Sequence, residues 1–240
     1  MTEMRAAVHA GSYDARRGEI EQYFDRTAAE AWAKLTSDAP VSGIRATVRA
    51  GREEMRRLLL SWLPGDMSGR RLLDAGCGTG ALAVEAAERG AEVLAVDISA
   101  TLVTLARQRA EGRHGAGRVT FRVGDMLDPA LGEFDHAVAM DSLIHYRAND
   151  VVSALGRLAL RVRRSILFTF APRTPLLAVM HVAGRAFPRG DRAPAIEPVS
   201  EGSLRARIAA APALAAWRVG RTQRVARGFY TSQAMELLPR

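Results

Sequence analysis

One cysteine and one lysine stand in 240 residues; the lysine count says little, but the cysteine count removes chemistry. With Cys77 alone there is no intrachain disulfide, no cysteine zinc cluster and no CxxC redox pair, a usage that fits a reducing compartment. No apolar run approaches the ~20 residues that cross a bilayer. The stretch Met1 to Arg26 is too polar and charged for a secretory signal. The basic residues are not interleaved with aromatics, so nucleic acid is not an expected partner. What is present suits a globular protein, since 48% of residues are hydrophobic and the charges are mixed. The length suits one domain with an appendage. The net charge of +8 is unevenly spread. Residues 1–150 hold 19 basic and 22 acidic side chains, whereas residues 151–240 hold 15 arginines and 4 acids. An arginine-rich half attracts anions unless it is simply a solvated surface.

Residues 74–80, Asp-Ala-Gly-Cys-Gly-Thr-Gly, follow the apolar Leu72-Leu73 and lead into a helical stretch. Strand, glycine turn and helix make a nucleotide-binding unit, because a Cβ in the turn would block the ligand or forbid a positive φ. Two readings fit. Gly76-x-Gly78-x-x-Ala81 matches the dinucleotide fingerprint in its alanine variant, and Asp74-x-Gly76-x-Gly78-x-Gly80 matches the S-adenosylmethionine pattern. Asp74 favours the second: an ammonium group seeks a carboxylate there, and a pyrophosphate would be repelled by it.

Apolar spacing predicts a helix over residues 15–35 and another over 44–63, the latter stopped by Pro64-Gly65. Strands are expected at 71–75, 92–96, 119–123, 134–140 and 165–170, alternating with helices near 79–89, 100–111 and 150–160. A short helix near 201–211 and two closing strands, 217–225 and 229–236, reverse at Arg227-Gly228 as an antiparallel hairpin. This is the α/β class I S-adenosylmethionine-dependent methyltransferase architecture, Rossmann-like and seven-stranded. An N-terminal helical cap over 1–65 precedes the domain at 66–240, which carries an insert near 172–198.

Ligands of such sheets sit beyond the carboxyl ends of the strands. Asp97 is spaced to take both ribose hydroxyls, with Ile98 on the adenine face. Asp125 is expected at the adenine amino group and Met126 over the ring. Asp141 is expected to face the methionine part or the acceptor. A lone aspartate is more often a cap or turn former, but four at successive strand ends beside the glycine turn make a cofactor site. Cys77 reads as a space-filler, which argues against cysteine-dependent pyrimidine methylation. The Asn/Asp-Pro-Pro-Tyr motif of amino-group methylation is missing. Met140-Asp-Ser-Leu-Ile-His145-Tyr146 stands there instead, with imidazole and phenol on the acceptor side.

Glu21-Gln-Tyr23-Phe24-Asp25 with Trp32, the glycine turn, the Leu-Ile-His-Tyr segment and Gly228-Phe-Tyr230-x-Ser232 together resemble the magnesium protoporphyrin IX O-methyltransferase family of the (bacterio)chlorophyll pathway. The resemblance covers residues 16–240. It implies S-adenosyl-L-methionine as cofactor, magnesium protoporphyrin IX as substrate, and Tyr23 and His145 as the catalytic pair. It also suggests handover from a magnesium chelatase subunit and a cytoplasmic protein with peripheral contact to the photosynthetic membrane. The magnesium would arrive inside the substrate, and nothing forms a metal site of its own. An arginine of the basic C-terminal region is expected to pair with the second propionate. Leu176 to Ala183 is expected as part of a macrocycle slot, as ordinary packing, or as a shallow membrane contact with Arg173, Arg185 and Arg189. The alternatives are a quinone or polyketide methyltransferase, a nicotinamide oxidoreductase, and a non-catalytic porphyrin carrier.

Overall fold

Parallel strands buried on both faces read as near-continuous apolar runs, and the first strand, β1 (Arg71–Ala75), is buried at every position after Arg71. The computed structural model describes residues 2–26, 36, 43–113, 115–173 and 195–240. Trp32 and Leu176 to Ala183 lie outside the described residues, as does most of the expected insert.

The elements run α1 (Thr2–Arg26), α2 (Ile44–Trp62), β1, α3 (Ala81–Glu88), β2 (Glu92–Asp97), α4 (Ala100–Ala110), β3 (Arg118–Val123), β4 (Phe134–Ala139), α5 (Ala148–Ala159), β5 (Val162–Phe170), α6 (Glu201–Ala210), β6 (Trp217–Arg227) and β7 (Tyr230–Pro239). They build a seven-stranded sheet of order β3-β2-β1-β4-β5-β7-β6. The first five strands are parallel and the closing hairpin is antiparallel. This is the expected class I methyltransferase fold.

The chain winds outward from β1 to β3 and then returns to β4 on the other side of β1. That switch point opens a crevice beyond the ends of β1 and β4. Asp74 pairs in register with Ala95 on β2 and Val138 on β4, so it sits at the centre of the sheet.

Alternation along β1 divides the interior. Leu73 and Ala75 face a cluster with Tyr13 and Ile20 of α1, Leu155 and Leu158 of α5, and Leu204 of α6. Leu72 faces the other cluster, with Met55, Leu59 and Leu60 of α2 and Leu82 and Ala86 of α3. Leu63 and Met67, on either side of the expected boundary at residue 65, are buried in that same cluster. The expected cap thus shares its cores with the domain beneath it.

Several element ends differ from expectation, among them β7, which runs to Pro239 rather than residue 236. Helix α1 starts at Thr2, thirteen residues before the apolar pattern does, and its described part ends at Arg26. Strand β5 starts at Val162 rather than residue 165, because Arg163 and Arg164 pair with Glu133 and Asp135 at its exposed end and break the apolar run. Helix α2 lies close on the hairpin at Gly51. A methyl there would stand 2.7 Å from Tyr230 Cβ and closer still to Cδ1.

Candidate active site

The glycine turn is fixed by its backbone. Gly76 N and Cys77 N both donate to Val96 O, joining the turn to β2. Gly76, Gly78 and Gly80 all have positive φ, at 83°, 53° and 80°. At Gly76 a side chain is excluded twice, by φ and by Ser142, whose hydroxyl donates to Ala75 O at 2.7 Å. Burial pushes the Cys77 thiol well up, so it is a poor nucleophile.

Asp74 is 2% exposed and its Oδ2 has no hydrogen-bond partner. Burial, then the charge of Asp97, raises its carboxyl to about 7. An unpartnered buried carboxylate oxygen costs stability unless something cationic or protic meets it. The ammonium of S-adenosylmethionine is such a group, so the residues fit the cofactor. Asp97 accepts from Gly78 N at 2.8 Å and from Ser99 N at 2.9 Å, and burial raises its carboxyl. It ties the loop after β2 to the glycine turn, and each oxygen retains a second lone pair for a ribose hydroxyl.

Asp141 lies at the expected strand end and is held there by donors from the protein. It has φ 54°, the one non-glycine positive φ among the described residues, and its side chain is 4% exposed. Its carboxylate receives Arg52 Nη1 at 2.6 Å, Tyr230 OH at 3.1 Å, Ser232 Oγ at 3.2 Å and Thr169 Oγ1 at 3.1 Å. Four donors supply it from within the protein. It joins α2, β5 and β7 at the end of β4.

Asp125 is placed differently. It accepts from Tyr13 OH at 2.8 Å, Arg17 Nη1 at 2.9 Å and Leu127 N at 2.8 Å, and so latches α1 to the loop after β3. Tyr13 stacks on Tyr146 at 4.8 Å, and burial holds both phenols far above their usual range. Arg16 Nε donates to His145 O at 2.9 Å, which fixes the short turn Leu143–His145. The Ser99 hydroxyl donates to Asp25 at 2.6 Å. Helix α1 therefore crosses the ends of β2, β3 and β4.

A cavity of about 600 Å³ opens beneath it. Asp74, Gly76, Gly78, Gly80, Asp97, Ile98, Met126, Asp141 and His145 line this one space. Tyr23 and Asp125 do not. Tyr23 packs edge-on against Phe24 at 5.2 Å, and Phe24, which does line the cavity, meets the His145 ring at 6.3 Å. The cavity's arginines are Arg49, Arg52, Arg56, Arg109 and Arg113. All come from the net-negative first part of the chain, and no described arginine of residues 151–240 lines it. Pattern reading missed them because a polar stripe on a helix reads as solvated; Arg49, Arg52 and Arg56 nonetheless share one face of α2. Tyr13 was missed because it precedes the apolar pattern. Among the described residues no group of three or more His, Cys, Asp or Glu is arranged to hold a metal ion. No described helix is long and apolar enough to cross a membrane.

A family model described as a methyltransferase domain matches residues 72–165, the cofactor half. A second, described as the C-terminus of magnesium-protoporphyrin IX methyltransferase, matches residues 139–239. The magnesium-protoporphyrin O-methyltransferase of Rhodobacter capsulatus is 48% identical over 93% of this chain and 96% of its own. The chain belongs to the magnesium-protoporphyrin O-methyltransferase family. The chloroplastic magnesium protoporphyrin IX methyltransferase of Arabidopsis thaliana is 30% identical over 92% of this chain and 70% of its own. The crystal structure of the family's Synechocystis PCC 6803 enzyme with bound SAH superposes with a TM-score of 0.82 at 27% identity, covering 94% of this chain and all of that one. The second family model begins at Ala139, so the residues after β4 and the closing hairpin carry the family's signature rather than the shared glycine turn.

Proposed function

We propose that this chain methylates one propionate of magnesium protoporphyrin IX, with S-adenosyl-L-methionine as methyl donor, to give the monomethyl ester. The observation that carries the reading is the near full-length identity of 48% to a protein of that name. The buried, unpartnered Asp74 Oδ2 supports the cofactor independently. Bound S-adenosylmethionine supplies an electrophilic methyl group on a sulfonium.

Asp74 meets the ammonium, Asp97 the ribose hydroxyls, and Ile98 and Met126 enclose the adenine. A propionate, with a pKa of about 4.3, is an anion at neutral pH, so no base is needed to activate it. The protein must exclude water and hold one oxygen in line, roughly 3–3.5 Å from the methyl carbon. Attack of an anion on a cation disperses charge, so a neutral donor orients the oxygen without over-stabilising the ground state. His145, on the cavity wall with its backbone pinned by Arg16, takes that role. Tyr23, linked to His145 through Phe24, acts at the acceptor's edge rather than at the transferred methyl.

The family resemblance extends the reading to two contacts of the whole protein. One is receipt of the porphyrin from a magnesium chelatase subunit, and the other is peripheral contact with the photosynthetic membrane. Co-purification with the chelatase subunit and flotation with vesicles test them. The function itself is tested by mass spectrometry of the porphyrin after incubation with donor: a single added methyl ester supports the reading, and an unchanged diacid contradicts it.

A further inference from the structure

The Asp141 constellation is costly to build. A non-glycine residue at positive φ is strained, and a buried carboxylate needs its full set of donors. The network supplies that set from Arg52, Tyr230, Ser232 and Thr169. A carboxylate so supplied has little left to offer a ligand. Its effect is on Arg52.

Arg52 lines the cavity, and its guanidinium is drawn by Asp141 toward the ends of β4 and β1, where Asp74 lies. The Arg52 side chain is 21% exposed while that of Asp141 is 4%, and both residues line the cavity. Arg56 and Arg113, which also line the cavity, pair with Glu85 and Glu88, both more exposed than Asp141. A planar guanidinium carries five N–H donors in a fork that matches a carboxylate. Nη1 is the atom bonded to Asp141. The ion pair with Asp141 constrains the fork's direction and moderates its charge.

We propose that Arg52, presented by Asp141, is a carboxylate receptor of this site. The inference rests on the methyltransferase reading above. That reading brings carboxylate from two sources: the amino-acid end of S-adenosylmethionine, whose ammonium seeks Asp74, and the porphyrin propionate that is not methylated. Asp141 is then a positioning residue for Arg52 rather than a ligand of the cofactor.

The test compares the unmodified chain with Arg52→Gln and Arg52→Lys by titration in two arms. One arm uses S-adenosylhomocysteine and its decarboxylated counterpart. The other uses magnesium protoporphyrin IX and its dimethyl ester. The expected result is that Arg52→Gln loses about 10- to 100-fold of the preference for the carboxylate-bearing ligand in at least one arm, the scale of a charged hydrogen bond. Arg52→Lys should keep part of it, since it retains the charge without the fork. The arm that falls identifies the source. A merely structural Arg52 would weaken both ligands of a pair alike; unchanged ratios in both arms, or no carboxylate preference in the unmodified chain, overturn the proposal. An unmodified chain that binds neither S-adenosylhomocysteine nor porphyrin would instead overturn the functional reading on which it rests.

Discussion

The Tyr13 hydroxyl donates to Asp125 across 112 positions of sequence, at 2.8 Å, and this bond latches the first helix to the loop after β3. Tyr13→Phe removes it while keeping the stack on Tyr146. The expected cost is about 1 kcal/mol, since Arg17 and Leu127 N still supply the carboxylate. Urea unfolding reads it as a lower midpoint at unchanged slope. A midpoint equal to that of the unmodified chain would show that α1 is held by its other contacts alone.

Asp74 makes cofactor binding dependent on pH. Its carboxyl titrates at about 7 and must be ionised to hold an ammonium. Affinity for S-adenosylhomocysteine should therefore rise roughly tenfold between pH 6 and pH 8, the gain in ionised fraction across that pKa. Asp74→Asn should bind weakly and lose the dependence. The sign for stability is opposite. A raised folded-state pKa means no penalty below the unfolded carboxylate range and a full penalty above about pH 7. Asp74→Asn should thus melt higher than the unmodified ligand-free chain at pH 8, and the difference should vanish near pH 4.

Gly51 lets α2 rest on the Tyr230 ring, whose hydroxyl reaches Asp141. Gly51→Ala raises helix propensity by ~1 kcal/mol in isolation. Here the overlap with backbone-anchored Tyr230 Cβ should win, with a net loss of about 1–3 kcal/mol. Stabilisation by this substitution would mean that the α2–hairpin contact is looser than described.

The glycine turn was legible because its residues answer to a local rule, positive φ at three positions. The strands were legible from their apolar and β-branched runs, even in β3, which is not buried, and ran short where Arg163 and Arg164 break the apolar run of β5. The protein partners of Asp125 and Asp141 were not legible. Their partners, Tyr13, Arg17, Arg52 and Tyr230, lie about 90 to 110 positions away, and only the tertiary fold decides whether a strand-end carboxylate meets a ligand or a helix. Arg52 was hidden for a related reason, since an arginine beside a buried stripe reads as solvent-facing until the hairpin is packed against that helix.

His145 separates chemistry from binding. His145→Ala should lower kcat by about 10- to 100-fold, the cost of losing an oriented donor, with S-adenosylhomocysteine affinity unchanged. Tyr23→Phe, acting one ring further out, should raise KM for the porphyrin more than it lowers kcat. Equal loss of cofactor affinity in both variants would move them from the acceptor side to the donor side.

The central claim is the pairing of this cavity with a magnesium porphyrin propionate. It is tested most directly by transfer of labelled methyl from S-adenosylmethionine to magnesium protoporphyrin IX, with a quinone-type phenol as competing acceptor. The account predicts label in a porphyrin monoester and none in the phenol. Label in the phenol, with the porphyrin diacid unchanged, would contradict it.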